Sequence, residues 1–527
     1  MALNNVIIQQ RAGSSGRALT GNDHHTGYMF YGTAPTVSGK WESFTNNGVT
    51  IKAQKMFSAG DIATAGILPN TDNTAATAVI EITTAATAAG EKVILSVDAP
   101  LPNSLSETVS LGTYTTVSGD TVIDTLGANL TAFINAGTVT HGFSASYSTG
   151  DNEITVSAPK KYGVSLNSGT PLDVDVTDSD IVVAVTQFTG GTASLYAVWD
   201  YHLRETFRLF PKAVVYVGII SATSAYAELV ALQNYTGGLI RQIGIFDKGT
   251  STSTAANISA TLLSIYTSIN SLYQTFPLVA VYCGNIIGVT DLSTLPDQNL
   301  NTSQTVQSVI SQDGNAEGAT LYVRCGFTIG NLGVKVATIA KSRVSSSDAQ
   351  PVPDFNVSDG TENNVIAFGN GQLFASLSDN LISQLDSYRY TFLRNFGGEL
   401  AGSYWTDNKT CIVSTSDYCF LNDVRVFQKA TRILRNAYIP LLSSETIFNG
   451  DGTLKDTTIA YFKSQGENAI TANMITGYGD SPLISGVAID IDPTQKVRAT
   501  NNLTVVATIV ANGISRSITI PIGFGTI

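Results

Sequence analysis

Residues 195–220, LYAVWDYHLRETFRLFPKAVVYVGII, decide the fold. The first part has apolar residues at helical spacing, and the run from Ala213 to Ile220 is continuously apolar, as in a strand covered on both faces. The pattern then repeats. AYAELVALQNY (225–235) reads as a helix and GGLIRQIGIFD (237–247) as a strand. ANISATLLSIYTSINSLYQTF (256–276) gives a longer helix, and PLVAVYCGNII (277–287) a second buried strand. Alternation of this kind predicts βαβ units and a mostly parallel sheet, hence an α/β (α+β) multidomain chain.

Upstream, residues 5–10 form a short strand-like run tethered by a Gly/Ser-rich segment, so a sheet edge of the same or a neighbouring subunit is expected to receive it. Val49 to Lys52 is a further strand candidate, and FSAGDIATAGILPN (57–70) a short helix ended by Gly66. From about Asp72 to Gly191 the texture becomes Thr/Ala/Ser/Gly-rich. Strands are expected at 78–82, 92–97, 107–114, 153–157 and 181–188, with one helix through Val122, Leu126, Leu130 and Ile134. This reads as a β-rich domain inserted into the α/β parent, its two ends close together. Residues 301–354 are mixed, and 367–395 add strands and a helix around Leu381 and Leu385. The expected division is an arm (1–20), a discontinuous α/β domain (21–71 and 192–354), the insert (72–191) and a C-terminal unit (355–527).

NDVRVFQKATRILRNAYIPLL (422–442) is a strongly amphipathic helix. Val424, Phe427, Ala430, Leu434, Ala437 and Leu441 share one side; Arg425, Lys429, Arg432 and Arg435 fall on the other. Asn422 or Asp423 is expected to cap its start, and Pro440 marks its end. Near the C-terminus, LTVVATIVA and ISRSITIPI flank Asn512-Gly513, a strong signal for a β-hairpin turn. Pro521 places the end of the second strand at a sheet edge.

Composition narrows function. With 41 Asp plus Glu against 29 Lys plus Arg, the net charge is −12, which argues against a protein that coats nucleic acid. Charged residues make up only 13% while hydrophobic residues reach 43%, the reverse of a disordered chain. MALNNVIIQQ lacks the basic start and apolar run of a secretory signal, and no apolar run approaches the roughly 20 residues of a membrane span, so manufacture in the cytoplasm without membrane insertion is expected. Cys283, Cys325, Cys411 and Cys419 show neither CxxC nor framework spacing and read as buried thiols.

The search for chemistry yields no site. GTAPTVSGKW (32–41) has the wrong glycine spacing for a phosphate loop, and Trp41 stands where Ser or Thr would hold magnesium. Asp23, His24 and His25 are adjacent, and adjacent side chains rarely converge on a metal. DVDVTDSD (173–180) lacks the glycine and terminal glutamate of a calcium loop. No catalytic residue, cofactor or metal is therefore expected, and no enzymatic activity.

Taken in order, AVWDYHLRETFRLFPKAVVYVG, GGLIRQIGIFD, IGNLGVKVATIAKSRV, SDYCFLNDVRVFQKATRILRNAYIPLL and IDIDPTQKVRATNNLTVVATIVANGISRSITIPIGF resemble the contractile tail-sheath proteins of tailed bacteriophages, including Mu-like and Bacteroidetes-associated branches. The likeness spans roughly residues 1–70 and 195–527 and leaves out the insert. It implies a virion structural protein that polymerises with itself as stacked rings around a tail tube, meets baseplate and terminator proteins, and shortens to drive the tube through the host envelope. It also implies that Arg425, Lys429, Arg432 and Arg435 face the tube. Asn5, Val6, Ile7 and Ile8, with Ile514, Ile518, Ile520 and Ile522, would then pair with neighbouring subunits. The sheath of a non-phage contractile injection system has the same physics. A secreted or surface adhesive protein, suggested by the Thr/Gly-rich insert, would need a secretion signal.

Overall fold

The computed structural model describes residues 23–177, 179–248, 255–397, 400–478, 481–500, 502–516 and 518. Asn5 to Ile8, Ile520 and Ile522 lie outside the described residues. The chain is mixed α/β, built on a seven-stranded mixed sheet. Its spatial order is Val306–Val309, Val279–Cys283, Gln242–Phe246, His25–Tyr31, Val214–Ile220, Val49–Met56 and Glu42–Asn46. The first five strands are parallel and the last two antiparallel.

The five parallel strands are buried on both faces, which explains their continuous apolar runs. One face packs on helices Leu195–Leu209 and Leu332–Lys341, with Trp199 stacked 5.3 Å from Phe30 and the Tyr28 hydroxyl 2.6 Å from that of Thr206. These two helices approach so closely that a Cβ on Gly333 would sit 2.1 Å from the His202 carbonyl oxygen. The other face is covered by helices Ala227–Tyr235 and Ala255–Asn270. The central strand His25–Tyr31 carried no strand expectation. HTGYMFY holds too short an apolar run to stand out, yet insertion between two strands buries its last six residues.

Residues 76–188 hold a separate hydrophobic core. A four-stranded sheet (Val182–Thr189, Thr77–Thr84, Glu153–Ser157, Ser144–Ser148) and a three-stranded one (Ser106–Thr115, Lys92–Pro100, Leu172–Asp175) enclose it with helix Ile123–Ala136. Entry and exit run side by side: Thr192 donates its N–H to the Thr74 carbonyl at 3.2 Å, and their hydroxyls are 3.0 Å apart.

The expected boundary at 354/355 needs correction. Val357, Ile366, Leu393, Trp405, Leu421 and Val424 belong to the same core as the parent sheet. Separate small cores begin only within the basic helix, where Val426 and Ala430 join Ile470, Met474, Leu483 and Ile484, and Leu454 joins Phe462 and Ile491. All four cysteines are buried and free, and burial pushes the thiols of Cys283, Cys325 and Cys411 up to about 12. No helix among the described residues is long and apolar enough to cross a membrane.

Candidate functional site

The amphipathic run forms helix Leu421–Tyr438, followed by a 3-10 turn at Ile439–Leu441 that contains Pro440. Its cap differs from expectation. Phe420 occupies the N-cap position without a side-chain bond, and Asn422 is drawn aside to accept from Asn408 at 3.0 Å and donate to Asp423 at 2.6 Å.

The larger difference is where the basic side points. Leu421, Val424, Arg425, Val426, Gln428, Lys429 and Ala430 are all buried, so the first half of the helix is largely enclosed, with only Asp423 and Phe427 partly exposed. It lies across the starts of three parallel strands. Gln428 donates to the Leu278 carbonyl at 2.9 Å just before Val279–Cys283; Lys429 and Arg432 reach Asp23, two residues before His25–Tyr31; Arg241, preceding Gln242–Phe246, lines the same pocket.

Within this junction Lys429 Nζ is 2.5 Å from Asp23 Oδ2 and 2.9 Å from the Tyr478 hydroxyl. Arg432 Nη2 is 3.3 Å from Asp23 Oδ1. Arg425 donates to the Ser342 hydroxyl at 2.7 Å, to the Ser342 carbonyl at 3.2 Å and to the Arg343 carbonyl at 3.3 Å. Burial pushes the Asp23 carboxyl up, but Lys429, Arg432 and Arg425 outweigh it and hold the group below its ordinary value. Burial, with Arg241 and Arg425 nearby, brings Arg432 down to about 9. The assignment of Arg425, Lys429 and Arg432 to an outer contact face is therefore corrected: they tie the C-terminal helix to the head of the parent sheet. Arg435 alone of the four is exposed. Helical periodicity separates a polar from an apolar side, but it carries no signal that a carboxylate some 400 residues upstream comes back to neutralise the polar one.

Beyond the helix, Ile484–Asp490 and Val506–Ala511 form a two-stranded antiparallel ribbon. It packs through Leu483 and Ile484 onto the helix pair formed by the basic helix and Asp456–Ile470. Val506–Ala511 is exposed along most of its length and has no second strand partner among the described residues. The hairpin expected about Asn512-Gly513 is not formed by the described residues. Asn512 is held by the Pro482 carbonyl and the Ser485 hydroxyl, and the chain crosses to the start of the basic helix, where the Arg516 guanidinium stacks 3.3 Å over the Phe420 ring. Ile514 borders the groove and Ile518 is 79% exposed, neither in a strand. The groove, about 750 Å³, runs between residues 416–427 and 507–516, alongside the open strand.

Among the described residues no group of three or more His, Cys, Asp or Glu side chains is placed to hold a metal. Asp23 is engaged by cations, and the adjacent His24 and His25 rings meet edge-on at 4.7 Å. Compared with known proteins, residues 417–526 match the family model described as DUF2586, C-terminal domain. The match takes in the basic helix, the small C-terminal cores and the ribbon. No curated protein matches the chain.

Proposed function

We propose that the chain is the structural subunit of a contractile tail sheath, non-enzymatic and without a cofactor, which polymerises with itself around a tail tube in a virion and contracts to drive that tube through the host envelope. Baseplate and terminator proteins would be its further partners. The observation that carries this reading is the open ribbon. A strand with a row of unpaired backbone groups beside a groove is a receptor for strand addition, and a soluble protein that keeps such an edge bare risks indiscriminate pairing. Self-assembly by arm exchange uses the edge instead. The strand-like sequence runs near both chain ends are the proposed arms, with the short run Asn5 to Ile8 the first candidate and Ile514 to Ile522 the second.

The outward insert, with its own core and paired entry and exit strands, fits a decoration that rides on the lattice without joining it. The burial of Arg425, Lys429 and Arg432 removes them from the proposed tube contact and leaves Arg435. The sheath of a non-phage contractile injection system is the alternative within the same mechanism. Removing residues 1–12 tests the exchange by sedimentation velocity. Loss of high-mass polymer with a folded subunit is expected, and polymerisation equal to that of the full chain would overturn it.

A further inference from the structure

The segment that follows the ribbon is pinned at two points. Asn512 donates to the Pro482 carbonyl at 2.8 Å and accepts from the Ser485 hydroxyl at 2.8 Å. Further on, the Arg516 guanidinium lies 3.3 Å from the centre of the Phe420 ring and donates at 3.3 Å to each of Asp407 Oδ1, Asn408 Oδ1 and Asn422 Oδ1. Arginine side chains are mostly solvated, whereas this one is only 29% exposed.

The acceptors are oriented by bonds of their own. Asn408 and Asn422 are 1% and 2% exposed, and the Asn408 amide donates to Asn422 Oδ1 at 3.0 Å. The Asn422 amide is turned toward Asp423 at 2.6 Å, and the Asn408 N–H donates to Asp407 Oδ1 at 2.8 Å. Phe420 is braced from another side by Arg389, 5.7 Å from its ring, whose Nε donates to the Thr410 carbonyl at 2.7 Å. An aromatic face with three fixed oxygens beside it is the complement of a flat guanidinium with forked donors.

The sequence shows where such an anchor matters. Ile514, Arg516, Ile518, Ile520 and Ile522 occur at every second position, so in an extended strand they share one face. An exchanged strand that began at Ile514 would carry a guanidinium on its apolar face and would give up the Arg516 anchor. A strand that begins after Arg516 keeps both anchors and presents only isoleucines on that face. Ile518, just past the anchor, is already 79% exposed.

We propose that Arg516 is the positioning residue of the C-terminal arm: Phe420, Asp407, Asn408 and Asn422 form a receptor that holds its guanidinium and fixes the root of the arm on its own subunit, so that exchange begins beyond it. This rests on the arm-exchange reading above and narrows the second arm to the part after Arg516.

Trypsin cuts after Arg516 only when the guanidinium leaves its receptor. The rate at which the following peptide is released from the native full chain, read by mass spectrometry, therefore reports occupancy. Phe420→Leu and Asp407→Asn should each raise that rate by about tenfold with unchanged circular dichroism. The two variants lie in different parts of the receptor, so either one decides if the other misfolds. Equal rates in wild type and variants would overturn the receptor. Sedimentation velocity of Arg516→Gln should show less polymer than wild type at the same concentration, because the arm has lost its root. Polymer equal to wild type would overturn the positioning role, and more polymer would overturn it in favour of a clasp that holds the arm back. If wild type forms no polymer, the arm-exchange reading fails and the root role with it, while the trypsin rates still decide whether the receptor holds Arg516.

Discussion

Replacing Asp23 by Asn removes the carboxylate that Lys429 and Arg432 share while keeping its size. The side chains of Lys429, Arg432 and Asp23 are 11%, 17% and 22% exposed, so the pairs are mostly shielded from water. Breaking a fully buried pair typically costs 3–5 kcal/mol, because the remaining charge stays desolvated. Here the Tyr478 hydroxyl still accepts from Lys429 and residual solvent reaches all three groups, so a loss of about 2–3 kcal/mol is expected. Urea unfolding followed by tryptophan fluorescence measures it, since Trp199 and Trp405 lie in the core that also holds Leu421 and Val424 of the helix, with Trp41 packed against it. Lys429→Met should cost less than Asp23→Asn, because it leaves Arg432 to balance the carboxylate, and the double variant should fall short of the sum. Arg435→Glu, on the exposed end, should stay within about 0.5 kcal/mol of wild type. If Asp23→Asn and Arg435→Glu shift the midpoint equally, the internal-anchor reading fails.

Lys335 and Asp348 form a second buried pair, 0% and 2% exposed, with the ammonium 4.8 Å from the Trp405 ring. Asp348→Ala should destabilise by about 3–5 kcal/mol, whereas the double replacement Lys335→Met with Asp348→Leu should recover most of that loss in the same urea assay. Burial, then repulsion from Asp313, Glu205 and Glu317, raises the Glu362 carboxyl to about 7. An acid raised in the folded state holds its proton longer there than in the unfolded chain, so stability should fall as pH rises from about 4.5 to 7 and level off above that. Solvent screening of this partly exposed group reduces the effect to on the order of 1 kcal/mol, and Glu362→Gln should flatten that part of the Tm-against-pH curve; an unchanged slope would contradict the assignment.

The parallel heart of the fold was legible because Val214–Ile220 and Val279–Cys283 are covered on both faces, which forces apolar residues at every position. The helix at Leu421–Tyr438 was legible as well, through its 3.6-residue period. What escaped depends on distant chain. His25–Tyr31 becomes a central strand only because strands about 190 and 215 residues downstream close on either side of it. Among the described residues Val506–Ala511 pairs with Ile484–Asp490, a partner to which the Asn512-Gly513 signal does not point. The basic residues illustrate the same limit most sharply. Their spacing defines a polar stripe, but whether a stripe meets water, a partner or a buried carboxylate is set by tertiary structure, and here Asp23 decides it.

The proposal that the chain builds a sheath rests on self-assembly, and negative-stain electron microscopy of the purified full-length protein tests it most directly. Stacked rings or hollow tubes of regular width are the expected result. A uniform population of single subunits at every ionic strength would contradict it.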